Sequence, residues 1–435
     1  MMKLAINGGT PVRRKLFPEY SVIGNEEKEA ANRVLDSGIL SKFLGCWDPD
    51  FYGGPEIQQF EKEWAAFYNV KNAIAVNSNT SGLYAAMGAI GLEPGDEVIV
   101  SPYSMSASAV APLIYNGIPV FADIEPDYFC IDVHSIEKKI TKRTKAILVV
   151  DIFGQTYDAK RINDLAKKHN LYVIEDCAQA PYSFHQSKMA GTLGDVGIFS
   201  LNYHKHIHTG EGGVVVTDND ELAERIRLIR NHAEAVVEAK GHANLTNMLG
   251  FNFRMTELEA AIGRCQLKKL RNFVEVRQKN VDYLHNKLKE IPALELPKVR
   301  ENCTHSFYLD AIKFNQSIAK VSRNQFIDAV KAELPSTKLR EDEGPLIGVG
   351  YVKPLYLQPL YQNRIAYGTK HFPFDSPYCD YRPDYSKGIC PITEEMFEQK
   401  LFTHELMRPG MEAADLDDVA MAFQKVWENR SELQN

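Results

Sequence analysis

A chain of 435 residues, 44% hydrophobic and 25% charged, is long enough to bury a large core and to divide into two or three domains. Its formal net charge of -7 excludes a surface built to grip nucleic acid and repels phosphorylated ligands at long range, so any phosphate must be held by local donors. The seven scattered cysteines never form a C-x-x-C pair, which argues against a disulfide framework or zinc site; with no signal-like start and no window near the ~18 apolar residues of a membrane span, the expected location is the cytoplasm, with no membrane partner.

From about residue 73 to 217, short apolar runs alternate with helical patterns, which predicts a mostly parallel sheet covered by helices on both faces. The first run, 73–76, ends in the turn VNSNTSGL at 76–83, which opens a helix rich in Ala and Gly. Taken alone this is an ordinary N-cap; with the residues below it becomes a phosphate site, where unpaired N–H groups, the helix dipole and the hydroxyls of Thr80 and Ser81 converge. Strands are expected at 97–101, 119–123 and 145–150, followed by a helix at 158–170 whose Ile162, Leu165, Ala166 and His169 recur at helical spacing.

Strand 171–175 runs into Glu175-Asp176-Cys177-Ala178-Gln179, at the end of a parallel strand where open α/β sheets bind ligands. Asp176 can cap a helix, or it can pair with a protonated pyridine nitrogen and keep that ring an electron sink. After strand 196–199 the segment FSLNYHKHIHTGEGG covers 199–213. Lys205 stands there between polar, glycine-bounded elements, and GEGG lets backbone approach a ligand closely. A lysine that bonds pyridoxal phosphate needs a carboxylate-paired ring nearby, and Asp176 at a neighbouring strand end supplies the carboxylate. Ser200 is a further phosphate donor.

His204, His206 and His208 alternate as metal ligands on an extended strand would. No Glu or Cys stands at ligand spacing and the interposed ammonium opposes a dication, so no metal is expected. Strand 213–217 completes a set of seven. Thr256 and Glu259 form a capping-box pattern, with Leu258, Ile262 and Cys265 marking the buried stripe of a long helix to about 290. Beyond it the chain is richer in Pro, Tyr and Phe, irregular around 341–392, and ends in an amphipathic helix near 414–430. The expected division is a large domain with the N-terminal segment, 1–280, and a smaller α+β domain, 281–435.

The ordered motifs are LAINGGTPVR near the start, PEIQQFEKEWAAFYNVKNAIAVNSNTSGL at 55–83, EPGDEVIVSPYS at 93–104, VFADIEPD at 120–127, FGQTYD at 153–158, VIEDCAQA at 173–180, GDVGIFSLNYHK at 194–205, TGEGGVVVT at 209–217, GFNFRMTELEAAIG at 250–263 and PLYLQPLY at 354–361. In this order they resemble the DegT/DnrJ/EryC1/StrS sugar aminotransferases, which are fold-type-I pyridoxal-phosphate enzymes. The resemblance implies that Lys205 bonds the cofactor and carries the proton, that Asp176 pairs with the ring nitrogen, and that Gln179 lies beside the ring. It further implies that Thr80, Ser81 and Ser200 hold the phosphate, and that Asn252 reaches the phosphate of a partner subunit, which makes the enzyme a homodimer with shared sites.

The implied reaction takes an amino group from L-glutamate, or alternatively L-glutamine, through the pyridoxamine phosphate form to a keto-sugar. The opening motif and long carboxyl-terminal part are more similar to the branch that aminates inososes and octulosonates than to compact nucleotide-sugar enzymes. The expected acceptor is the 8-keto form of 3-deoxy-D-manno-octulosonate (Kdo), giving an 8-amino sugar for lipopolysaccharide. An inosose or a nucleotide-linked keto-deoxysugar is the alternative. A sugar dehydratase of the same family would carry histidine in place of the lysine, and a non-catalytic regulator has no use for Lys205 and Asp176 together.

Three departures from the family pattern carry expectations. Asn79 stands where glycine is common, so the turn should hold it at positive φ. Met105 occupies the position of a stacking aromatic, so a sulfur contact or Tyr103 should replace it. Segments 44–54 and about 365–390 look like insertions that line the substrate entrance.

Overall fold

Seven apolar runs pair into one sheet in the computed structural model, which describes residues 3–379 and 381–434. They are β1 (Asn72–Val76), β2 (Glu97–Val100), β3 (Ile118–Phe121), β4 (Thr144–Val150), β5 (Tyr172–Asp176), β6 (Val196–Ser200) and β7 (Gly213–Thr217). Their order is β1-β7-β6-β5-β4-β2-β3, with β7 antiparallel to both neighbours and every other pairing parallel. Helices cover both faces, so the strands read as continuous apolar runs rather than alternating ones; Ile147, Leu148 and Val149 of β4 are fully buried. The expected α/β class and all seven expected strands are present.

The helices that position the site are α1 (Asn25–Ser37), α2 (Pro55–Tyr68), α3 (Asn79–Ala89), α4 (Ala159–His169), α5 (Asp220–Arg230) and α6 (Glu257–Leu288). α3 is rich in Ala and Gly because it lies close on the sheet: a Cβ on Gly82 would come within 2.8 Å of Ile198 and 2.9 Å of Val215. In α4, Ile162, Leu165 and Ala166 are buried as expected, but His169 is exposed. It sits in the last turn, where a basic side chain complements the helix dipole in water.

The capping box of α6 forms, with the Glu259 N–H donating to Thr256 Oγ1 at 3.2 Å and the Thr256 N–H donating to Glu259 Oε2 at 2.8 Å. Its buried stripe is displaced from the expected one: Ala260, Gly263, Gln266, Leu267 and Leu270 are buried, while Leu258, Ile262 and Cys265 are only half-buried. Leu258 and Cys265 pack instead on Ala30 and Val34 of α1. The deeper face admits small and polar residues because Phe60 of α2 comes close to Gly263, and the Gln266 amide donates to the Val22 carbonyl at 2.9 Å.

A second, antiparallel sheet is built from β8 (Leu294–Glu295), β9 (Asp310–Phe314), β10 (Ile347–Val349) and β11 (Leu401–His404), in the order β8-β9-β11-β10. Helices α7 (Arg323–Glu333) and α8 (Ala413–Glu428) belong to the same lobe, and their Phe326 and Phe423 share a core with Ile312, Phe314, Phe402 and the end of α6. That core also takes in Leu4 and Phe17, and the Leu4 N–H donates to Glu432 at 3.3 Å. Residues from both ends of the chain therefore close the smaller lobe together. The stretch between β10 and β11 crosses back to the large sheet, where the Tyr361 and Tyr385 rings lie 5.2 and 5.6 Å from Phe121 of β3.

Candidate active site

β5 and β6 are adjacent and parallel, so Asp176, Gln179, Ser200 and Lys205 all emerge at the carboxyl end of the sheet. α3 begins at the same edge. The result is a cavity of about 440 Å³ whose walls include Thr80, Met105, Asp176, Gln179, Ser200, Lys205, Tyr308 and Tyr351. Five of the seven site residues expected from sequence, Lys205, Asp176, Gln179, Thr80 and Ser200, are thus brought to one space.

The Lys205 Nζ lies 4.3 Å from the centre of the Tyr308 ring. Burial pushes the ammonium down to about 8, against the opposing pull of Asp176. An amine in that range is about one-tenth neutral at pH 7, far more than an ordinary lysine, and so supplies the free base that a nucleophile or proton carrier needs. Asp176 is itself fully buried, and burial raises its carboxyl above the usual range. Three donors hold it in place: the Ala178 N–H at 3.2 Å, the Ser108 hydroxyl at 3.1 Å and the Asn79 amide at 3.3 Å. It is a carboxylate fixed before any partner arrives.

Glu175, next in the chain, does a different job. Its carboxylate accepts the N–H groups of Gly191, Leu193 and Gly194 at 2.6, 2.9 and 3.1 Å, tying down the loop that precedes β6. Asp151 and Cys177 lie beside it, with one potential donor atom from each of the three within 4.8 Å of the others. Burial, together with the Glu175 charge, raises the Asp151 carboxyl strongly.

At the α3 end, Ser78 caps the helix by accepting the Ser81 N–H at 3.0 Å. Ser81 does not line the cavity; its hydroxyl donates to Asn77 Oδ1 at 2.6 Å, so it shapes the turn rather than facing the ligand space. Asn79 is not at positive φ either. It is the first residue of α3 and spends its amide on Asp176, which is why a side chain stands where glycine was expected. Where GEGG was expected to let backbone approach a ligand, its Gly213 approaches the chain's own backbone: a Cβ there would fall 2.6 Å from the Ser78 carbonyl carbon.

Other expectations change on the structure. Tyr103 is fully buried and donates to the Gly350 carbonyl at 2.7 Å, so only Met105 of the two reaches the cavity. Residues 202–208 form turns rather than a strand, and the three histidines part company. His204 lines the cavity, His206 is buried with its Nε2 2.9 Å from the Ser306 carbonyl, and His208 Nδ1 accepts the Gly210 N–H at 3.3 Å. Asn252 lies outside its own chain's cavity, exposed, with Arg254 Nε donating to its Oδ1 at 2.8 Å.

A second cavity of about 330 Å³ shares His204, Tyr308 and Tyr351 with the first and continues between the lobes, lined by Arg340, Glu343, Thr403, His404 and Glu405. Among the described residues no part of 44–54 or 365–390 lines either cavity. The aromatic packing of Tyr385 on β3 holds the latter segment at the sheet edge instead.

Sequence reading missed Ser108, Tyr308 and Tyr351. Ser108 stands near EPGDEVIVSPYS, and its hydroxyl on Asp176 was within reach of a search for small polar residues at strand ends. The two tyrosines come from the smaller lobe with no local signal. Tyr351 accepts the Gln179 amide at 2.8 Å while Gln179 Oε1 accepts the Phe153 N–H at 2.7 Å.

A buried amine, a fixed carboxylate and a helix N-terminus on one cavity fit pyridoxal phosphate, whose aldehyde, ring nitrogen and phosphate need those three groups. Comparison with known proteins agrees. Residues 22–380 match the DegT/DnrJ/EryC1/StrS aminotransferase family. The L-glutamine:2-deoxy-scyllo-inosose aminotransferase of Streptomyces kanamyceticus is 30% identical over 99% of this chain and 98% of its own. The GDP-perosamine synthase of Vibrio cholerae is 35% identical over 69% of this chain and 78% of its own. An aminotransferase structure from Psychrobacter cryohalolentis superposes with a TM-score of 0.79 at 27% identity, covering 95% of this chain and 99% of that one.

Proposed function

The chain belongs to the DegT/DnrJ/EryC1/StrS aminotransferase family, and from that premise we propose that it passes an amino group from L-glutamate to a keto-sugar, with the 8-keto form of Kdo as acceptor. It is a pyridoxal-phosphate-dependent aminotransferase of fold type I. The observation that carries the reading is Lys205, a buried amine held down to about 8 beside a fixed carboxylate.

Bound pyridoxal phosphate supplies an electron sink for the bond broken at the donor's Cα. The chain's residues supply the rest. With the cofactor bound, the Lys205 amine would take the proton from the donor's Cα and return it at the cofactor's C4′, across the intervening nitrogen. Asp176 keeps a negative charge against the ring nitrogen, and its three donors prevent it from swinging away. The first turn of α3, with Thr80 and Ser200, would hold the phosphate by N–H and hydroxyl donors, and Gln179, braced by Tyr351, would stand beside the ring.

Alignment over nearly the whole chain with an inosose aminotransferase, against a shorter one with a nucleotide-sugar enzyme, supports an acceptor that carries no nucleotide. Within that group the octulosonate is proposed and an inosose is its alternative; the product would enter lipopolysaccharide. The exposure of Asn252 outside its own cavity supports the reading in which it reaches the phosphate of a second subunit, and the proposed enzyme is a homodimer with shared sites. Among the described residues no helix is long and apolar enough to cross a membrane, and the proposed location is the cytoplasm.

The purified holoenzyme should be yellow, absorbing near ~410–430 nm, and L-glutamate should bleach it within one turnover. A protein that stays colourless with added pyridoxal phosphate would sink the reading. Faster bleaching by L-glutamine than by L-glutamate would replace the donor.

A further inference from the structure

The cavity between the lobes has walls that say what can lie in it. It opens from the cofactor cavity past His204, Tyr308 and Tyr351, so a group reacting at Lys205 would extend its far end into it. The charges there are already matched. Arg340 donates from Nε to Glu343 at 2.5 Å, forms a second bond from Nη2 to the same carboxylate, and reaches Glu405 at 3.4 Å. Behind the wall, buried Arg408 pairs with the same Oε2 of Glu405 that Arg340 reaches. Arg340 holds the Glu343 carboxyl below the usual range, and burial with Arg340 and Arg408 nearby pushes His204 down to about 4, leaving it neutral. Among the described residues the cavity therefore presents two carboxylates, each paired with a guanidinium, and its lining guanidinium, Arg340, is already engaged at Nε, Nη1 and Nη2.

A diphosphate would find the lining Arg340 already engaged by carboxylates that it would have to displace. Hydroxyl groups find the opposite: O–H donors to a carboxylate make short, charge-assisted bonds. The volume, about 330 Å³, is at the small end of the ~300–1,000 Å³ of ligand sites, enough for one polyhydroxylated ring or chain without a nucleoside attached.

We propose that this cavity is the acceptor subsite, and that Glu343 and Glu405 select an unlinked keto-polyol by accepting its hydroxyls and turn away nucleotide-linked sugars. The inference rests on the aminotransferase reading above. Glu343 is the residue to test, because its side chain is 44% exposed and Glu343→Gln leaves the fold intact.

The holoenzyme is run in reverse with two unlinked amines, 8-amino-3,8-dideoxy-octulosonate and 2-deoxy-scyllo-inosamine, and challenged with GDP and dTDP. At least one amine should bleach the yellow band, and neither nucleotide should slow that bleaching at about 1 mM. In Glu343→Gln the half-saturating concentration of 2-deoxy-scyllo-inosamine, which carries no carboxylate, should rise ~10-fold through loss of a charged acceptor, while that for L-glutamate holds or falls. A merely structural role would move both in the same direction. Competition by either nucleotide, failure of both amines on an enzyme that L-glutamate bleaches, or a parallel shift of the two half-saturations overturns the proposal. Failure of both L-glutamate and L-glutamine to bleach the wild type would instead reject the aminotransferase reading beneath it.

Discussion

The two walls of the joined cavities are built in opposite ways. On the sheet side, Asp176, Ser200 and Lys205 follow strand ends, and each is set by backbone that the strand pairing already fixes. On the lobe side, Tyr308, Arg340, Glu343 and His404 come from turns and edges of a separate antiparallel sheet, reaching the same space only when the lobes meet. The difference teaches a division of labour. Rigid strand ends hold the groups that must not move during bond breaking, while turns of the smaller lobe carry the groups proposed to select what is brought to them.

Breaking the sheet side should cost the most. Lys205→Ala removes both the cofactor bond and the proton carrier, and turnover should fall by more than ~10³-fold while the variant still takes up cofactor through the phosphate site. Ordinary turnover in a steady-state assay of this variant would remove Lys205 from its role. The next effect asks whether the sheet side of one chain is complete by itself. Asn252→Asp sets a carboxylate against a phosphate dianion and should be inactive through like-charge repulsion. Mixed with Lys205→Ala chains it should regain about a quarter of wild-type turnover, since half of the dimers would carry one intact site. Verified heterodimers that stay dead would mean that Asn252 serves its own cavity or none.

A smaller effect samples both walls through buried histidines. His206 on the sheet side and His305 on the lobe side are held neutral, the latter pushed down to about 3 by burial. An unfolded histidine titrates near ~6.5, so below that pH the unfolded chain binds protons the native one refuses. Stability is full above about 6.5 and is lost as pH falls from there towards 3. Thermal melts between pH 7 and pH 5 should shift downward in acid, and His305→Gln, which can still accept the Phe307 N–H, should flatten that shift. An unchanged slope would show that other groups govern acid sensitivity. The pair His285 and Asp310, 3.0 Å apart, works the other way: burial opposes both charges, but Asp310 outweighs it at the histidine and raises it, while His285 and His404 together outweigh it at the aspartate and hold that far below its usual range.

The smallest effect lies where the walls join. Tyr351→Phe leaves the Gln179 amide without its acceptor at 2.8 Å, a loss of about 0.5–1.5 kcal/mol. KM for the acceptor should rise by roughly 2–10-fold with kcat nearly kept. A fall in kcat with KM unchanged would transfer Tyr351 from the selecting side to the reacting side.

The same contrast explains what could be read from sequence. Lys205 and Asp176 were legible because strand ends are marked by apolar runs, and the chemistry begins where the run stops. Tyr308, Tyr351 and Arg340 were not, since nothing local says that a turn beyond residue 300 will face β5. Asn79 was misjudged because a side chain in a phosphate turn looks like a glycine substitute until its amide is seen on Asp176. The stripe of α6 was displaced for a similar reason: Gln266 looks like a surface residue, yet it is buried by its bonds to Val22 and Glu27. Segment 365–390 was expected at the entrance on the strength of its extra length, but its aromatic residues found the edge strand β3 first.

The packing of Leu4 and Phe17 against Leu433 and α8 sets an order of events at the ribosome. Every strand of the large sheet is made well before the tail emerges, so that half can pair while synthesis continues. The smaller lobe cannot, because its core needs residues from both ends of the chain. Leu4 and Phe17 wait, unburied, until α8 is made, and a chain interrupted before α8 would hold a finished sheet beside a lobe that never closes.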